Sequence, residues 1–301
     1  SHMHNTLPAG GGLTEFITVV RQQRDAEPAE IVRAARDADN EMYGEGVVAC
    51  GDISNNYLTF NIKSTSTIRY LTFIEVFGLD PLLATGRIDH ALELASAANA
   101  AGLPCHITPH GVYSVSQPLF DLIKEHIGSS SVTSLHFLES DDERKMASWH
   151  IETAITLSKL TSHLILVHNT VLAEDELEKL VSVPNIWFCL CPSSNMRISD
   201  KMPPVTLLAK ASGRIVAGTD SLASTGHLSI LGELKLLHEA APGIPLDEII
   251  RWGTINGARA LKMDDTLGSI ETGKKPGLLL IEEVDLARLR LLPDCRVRRL
   301  L

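Results

Sequence analysis

At 301 residues and 44% hydrophobic content, the chain can bury a large core, and α/β barrels of this size commonly form one domain. The formal net charge of −10 and the lack of a basic run exclude a nucleic-acid or anionic-membrane surface, and no stretch has the length and apolarity of a membrane span or a leader peptide. Five cysteines (Cys50, Cys105, Cys189, Cys191 and Cys295) are scattered and odd in number, which favours free thiols in a reducing, cytoplasmic setting over a disulfide frame.

Taken in order, helices are expected over residues 13–24 and 28–43, the second with Pro28 in its first turn and apolar residues on one face. Gly44 and Gly46 stop it, and a buried strand over 47–50 runs into Gly51-Asp52. A β-branched and aromatic strand covers 70–77, and a helix over 84–101 ends at Gly102. The strand over 103–108 opens into Pro109-His110-Gly111, and a helix follows over 116–126. Strand 132–138 carries His136 and, just beyond its end, Glu139; after a helix over 149–160, strand 164–167 ends in His168-Asn169-Thr170. A helix over 173–181 precedes strand 185–190, which meets a loop, Cys191-Pro192-Ser193-Ser194-Asn195. Helix 205–211 leads to strand 215–217 and Gly218-Thr219-Asp220-Ser221, and helices over 228–240 and 246–261 complete the set.

Strands alternating with helices at this spacing imply a parallel sheet. Seven apolar strands with polar residues at their C-terminal ends suit an α/β fold of the (β/α)8 TIM-like barrel type that lacks its first strand. That strand is expected ahead of residue 1, so residues 1–262 read as an N-terminally truncated barrel. Residues 263–301 read as the remnant of a small β domain: glycines punctuate two short strands, 278–282 being the clearer, whose partners are expected upstream of the sequence.

Three strand ends carry His136, His168 and Asp220. Each alone is explained as readily by a structural hydrogen bond or a turn cap. Together, at the face where barrels place their chemistry, they are hard to assign to packing, and imidazole with carboxylate suits Zn²⁺ or Fe²⁺. Glu139 could turn back to the same mouth as a proton shuttle or be a solvated acid of the run Ser140-Asp141-Asp142-Glu143. His110 either points at substrate or belongs to a rigid Pro-His turn, and Asn195 either binds substrate or shapes its loop.

Residues 46–285 resemble the amidohydrolase superfamily, in the aminohydrolase branch with guanine and S-adenosylhomocysteine deaminases. The likeness rests on Thr108-Pro109-His110, Leu135-His136-Phe137-Leu138-Glu139-Ser140, Leu166-Val167-His168-Asn169, Cys191-Pro192-Ser193-Ser194-Asn195 and Ala217-Gly218-Thr219-Asp220-Ser221. The tail Gly268-Ser269-Ile270-Glu271-Thr272-Gly273-Lys274-Lys275 completes it. A weaker similarity, through Gly51-Asp52-Ile53-Ser54-Asn55, points to aminofutalosine deaminases. The resemblance implies His136 and Asp220 as metal ligands, His168 and Asp220 beside the reacting water, Glu139 as the group that passes a proton to the leaving amine, and His110 as a substrate contact; Asn195 stands beside it as a substrate-binding candidate from its own position. It also implies one divalent metal, zinc before iron, because the lysine of two-metal relatives has no counterpart in residues 103–111.

The expected activity is hydrolytic deamination of an aminated purine-like heterocycle. The partners are a small-molecule substrate and further copies of the chain in a homo-oligomer, with no nucleic acid and no membrane. The departure is the family's His-x-His pair on the first strand, which goes missing with that strand. His2-Met3-His4 has the spacing without the apolar strand before it, and Ser1-His2 could be a tag scar or the sequence that follows the pair. Two remaining protein ligands fall short of the three of a catalytic zinc. A metal-free binding barrel, or hydrolysis of a halide or amide substituent, therefore stands as the alternative.

Overall fold

The computed structural model describes residues 2–4, 10–23, 25–211 and 213–301, in two compact units, Ala49–Trp187 and Ser1–Val48 with Phe188–Leu301. Ser1 and Leu7-Pro8, on which the reading of His2-Met3-His4 partly depends, lie outside the described residues.

The chain opens with α1 (Gly12–Gln23) and α2 (Pro28–Gly44), then β1 (Ala49–Ser54), α3 (Phe60–Thr65), β2 (Arg69–Val76), α4 (Ala84–Ala100) and β3 (Cys105–Pro109). Next come α5 (Gln117–Glu125), β4 (Val132–Phe137), α6 (Asp141–Met146), α7 (His150–Ser158), β5 (His163–His168) and α8 (Glu174–Val181). The last part holds β6 (Ile186–Leu190), α9 (Pro192–Ser199), α10 (Val205–Leu208), β7 (Ile215–Ala217), α11 (Ile230–Ala240), α12 (Leu246–Trp252), α13 (Ile255–Ala260), β8 (Leu279–Glu282) and β9 (Arg296–Arg299). No helix among the described residues is long and apolar enough to cross a membrane.

In the unit Ala49–Trp187, β1, β2 and β3 form a parallel sheet in that order, and β4 pairs in parallel with β5. β2 is buried from Tyr70 to Val76, as a central strand covered on both faces must be. The step from β3 to β4 uses side chains in place of a regular ladder: Ser134 N–H donates to Thr108 Oγ1 at 3.0 Å and Val132 N–H to His106 Nδ1 at 3.1 Å. At the far end His136 N–H donates to the carbonyl of His110, just past the end of β3, at 2.8 Å, tying the ends of the two strands together. Leu135, Phe137, Leu164 and Leu166 are wholly buried, each contributing about 1.5–3 kcal/mol of transfer free energy.

In the other unit, β6 pairs in parallel with β7 through Phe188–Ile215, Cys189–Val216 and Leu190–Ala217. Asn256 Nδ2 donates to the carbonyl of Ile215 at 2.9 Å, fixing α13 to β7. The expected single helix over 246–261 is broken: Gly253 ends α12 because a glycine there fits where a Cβ would lie 2.8 Å from Ile230. The loop expected at Pro192–Asn195 is the first turn of α9, with Pro192 at the start where its missing N–H is no loss. β8 pairs antiparallel with a downstream strand, β9, that the sequence reading did not foresee; the second strand expected between Gly268 and Asp285 is not formed. The hairpin is seated on the end of α2: the Arg299 guanidinium stacks 4.0 Å from the Tyr43 ring centroid and donates to the Tyr43 carbonyl at 2.8 Å.

Candidate active site at the strand ends

The polar residues of the unit Ala49–Trp187 gather at the C-terminal ends of β2, β3, β4 and β5. Glu75, in the middle of the apolar run Ile74-Glu75-Val76, is buried, and its Oε2 accepts from Asn55 Nδ2 at 3.1 Å. Its Oε1 lies 3.5 Å from His136 Nδ1. The ring of His136 stacks on that of His110 at 4.3 Å and 18°, and lies 5.4 Å from that of His168. His168 Nε2 in turn stands 3.8 Å from Glu139 Oε1, with both side chains almost fully buried.

Hydrogen bonds orient the two stacked imidazoles. His136 Nδ1 is 3.0 Å from the His110 carbonyl, a pure acceptor, so Nδ1 carries the proton and Nε2 the lone pair. His110 Nδ1 bonds Ser114 Oγ at 2.8 Å, which points its Nε2 away from the turn. Phe77 and Tyr113 meet the His110 ring edge-on, and burial pushes its pKa down to about 4 against the opposing pull of Glu75. His110 is thus a neutral imidazole at pH 7, the form that ligates metals.

The backbone at these ends is held in the left-handed region that side chains other than glycine rarely adopt. Leu138 has φ 50°, His168 φ 81° and Asn169 φ 57°. Such conformations cost about 1–3 kcal/mol each and persist where the surroundings over-determine them. Here Asn169 N–H donates to the Phe137 carbonyl at 2.9 Å and Val171 N–H to that of Leu138 at 3.0 Å, which fixes both turns.

In the other unit, Asp220 also has left-handed backbone, φ 60°, three residues beyond β7. Its Oδ2 accepts from Ser194 Oγ at 2.7 Å and Ser224 Oγ at 2.6 Å. Asn195 is fully buried on α9. Glu233, also fully buried, accepts from Ser193 N–H at 3.0 Å; burial and then the nearby Asp220 raise its carboxyl to about 7, against the pull of the Ser193 bond. Cys189 and Cys191 both face Gly218, where a Cβ would sit 2.7 and 3.3 Å from their sulfurs. A hydrogen bond with Cys189 that favours the protonated thiol, together with burial, holds Cys191 well above the usual range.

Among the described residues, one group of three can offer ligand atoms to a single cation: Glu75, His110 and His136, within 4.8 Å of one another. Two imidazoles and a carboxylate are the donor set of many catalytic zinc sites, so these residues fit a divalent metal. Sequence reading singled out His136 and His110 but missed Glu75. The signal available was a lone carboxylate inside a strand otherwise built for burial.

The sequence profile of the amidohydrolase family matches residues 13–296. The chain belongs to that family. This amidohydrolase is 30% identical over 214 residues to the 5-methylthioadenosine/S-adenosylhomocysteine deaminase of Pyrococcus horikoshii, an alignment covering 67% of the chain and 49% of the relative. It spans about half the length of such curated relatives. Its fold is similar to that of Helicobacter pylori aminofutalosine deaminase solved in complex with methylthio-coformycin, with a TM-score of 0.71 and 23% identity over 92% of this chain and 74% of that one. An adenosine deaminase from Xanthomonas campestris with bound zinc superposes with a TM-score of 0.70 at 21% identity, covering 93% and 68% of the two chains. The amidohydrolase resemblance read from the motifs is thereby borne out.

Proposed function

We propose that this amidohydrolase is a metal-dependent aminohydrolase that replaces the amino group of an adenosine-like or related purine-type heterocycle with oxygen, consuming water and releasing ammonia. The observation that carries the reading is the buried His168–Glu139 pair, 3.8 Å apart, beside the His136 ring. Support comes from the family match and from deaminase relatives. The proposed architecture is a TIM-like barrel of the (β/α)8 type, of which residues 1–262 supply seven strands, with a small β remnant over 263–301, and the proposed setting is cytoplasmic.

His136 holds the metal in this reading, with Glu75 and His110 as donors from its own unit and Asp220 as the ligand that the family motif adds. Zinc is the first choice, as in the Xanthomonas relative. When bound, the cation supplies Lewis-acid activation of water, lowering its pKa towards about 7. His168 Nε2 orients that water and holds its proton, and Glu139 Oε1 delivers a proton to the departing amine nitrogen. Burial of both groups keeps competing bulk water from the transfer. Asn195 donates to the heterocycle, and the ring of His110, stacked on that of His136, also contacts it.

Ammonia release from adenosine, 5-methylthioadenosine, S-adenosylhomocysteine, guanine and an aminopterin, assayed with zinc-loaded protein, tests the proposal. Turnover of at least one is expected. Silence across the panel with a full equivalent of metal bound would refute it.

A further inference from the structure

The turn that carries Glu139 is gripped by a second carboxylate to which no role has been given. Glu143, on α6, is completely buried. Its Oε1 accepts from Leu138 N–H at 3.0 Å and its Oε2 from Glu139 N–H at 2.7 Å. His150 Nε2, at the start of α7, lies 3.2 Å from Oε1, and the His150 ring meets Phe137 edge-on at 6.1 Å.

The local sequence is a capping box with an unusual return. Ser140 caps α6, its Oγ accepting from Glu143 N–H at 3.2 Å. In the ordinary arrangement the carboxylate three residues on reaches back to the N–H of the cap itself. Glu143 reaches one and two residues further, to Glu139 and Leu138. A helix of six residues does not require that arrangement, and burying a carboxylate costs several kcal/mol unless its partners are well made. What the longer reach achieves is to hold Leu138 in its left-handed conformation, φ 50°, and so to set the direction in which Glu139 leaves β4.

We propose that Glu143, braced by His150, is a positioning residue that locks the Leu138–Glu139 turn and keeps the Glu139 carboxylate facing His168. The inference rests on the proton-transfer role given to Glu139 above. A plain helix cap would affect stability alone. A positioning residue acts on the chemical step with little effect on substrate binding, because a displacement of about 1 Å at a reacting group can cost up to about 100-fold.

Glu143→Gln keeps the side chain's size and removes one of its two acceptors. His150→Asn is the milder variant, and carries the same comparison should the first not fold. Both are compared with Glu139→Gln and the double variant Glu139→Gln/Glu143→Gln, reading ammonia release from adenosine and hydrogen exchange at the Leu138 and Glu139 amides. Glu143→Gln is expected to lower kcat about 10-fold or more while KM moves less than about 2-fold, and to speed exchange at those amides. The double variant is expected to be no slower than Glu139→Gln. Wild-type kcat in both Glu143→Gln and His150→Asn, beside a crippled Glu139→Gln, would overturn this inference alone, as would losses that multiply in the double variant or unchanged amide exchange. An undiminished Glu139→Gln, or an unaltered protein inactive on every aminopurine, would remove the proton-transfer reading and this inference with it.

Discussion

His168 Nε2 and Glu139 Oε1 face each other across 3.8 Å, each side chain about 5% exposed or less. The two come from the ends of adjacent parallel strands, and a water or amine lying beside the pair could hydrogen-bond to both atoms. Glu139→Gln preserves shape and removes the titratable proton. It is expected to keep the metal and lose about 100-fold or more in kcat. Metal analysis alongside single-turnover assays checks it, and an unchanged kcat would remove Glu139 from the chemistry.

Metal content should respond to the donor trio. His136→Ala is expected to leave less than about one-tenth of an equivalent of zinc after growth in zinc. Glu75→Gln should weaken binding by about 10- to 100-fold, whether Glu75 ligates directly or acts through the His136 ring. Competition with a chromogenic chelator measures both. An unaltered zinc affinity in Glu75→Gln would remove Glu75 from the site.

Glu233 gives the fold a pH dependence whose sign is fixed. Its carboxyl sits at about 7 in the folded protein, chiefly through burial, against an ordinary value of 4.5. Between those values the folded chain holds a proton that the unfolded chain has released, so stability falls as pH rises through this window and levels off above it. The full swing is on the order of 3 kcal/mol. Urea unfolding of Glu233→Gln at pH 5 and pH 8 should show that decline abolished. An identical decline in the variant would assign it to other groups.

Gly46 is the tightest point of the seat for the β8–β9 hairpin. Its φ is 96°, and a Cβ would stand 2.5 Å from Leu279 Cδ1. Gly46→Val combines backbone strain with a clash, and is expected to cost about 2 kcal/mol or more in thermal unfolding. Gly44, with nothing near its missing Cβ, should tolerate alanine and serves as the control.

The strand ends were the legible part of the site. His168 closes an apolar run and His136 interrupts one near its end, and that contrast alone marks them. Glu75 left only a weak signal, because a single acid inside Tyr70–Val76 also suits a strand's solvent-facing position until both faces prove covered. β9 escaped notice for a similar reason. Its sequence Arg-Val-Arg-Arg carries no apolar alternation; its backbone pairs with β8, and Arg296 and Arg298 add bonds to Glu282. α9 was hidden by composition, since Pro-Ser-Ser-Asn suits a loop as well as the first turn of a helix. The grip of Glu143 on the amides four and five residues before it is a choice between neighbouring capping donors, and the local pattern does not say which of them it takes.

The left-handed residues at the strand ends set a conflict for anyone stabilising this scaffold. Leu138, His168 and Asp220 all occupy conformations that glycine adopts without penalty. Heat-based selection will therefore be drawn towards relaxing them, whereas selection for turnover will hold the same side chains in place. Variants chosen for endurance at these three positions should come out robust and catalytically idle.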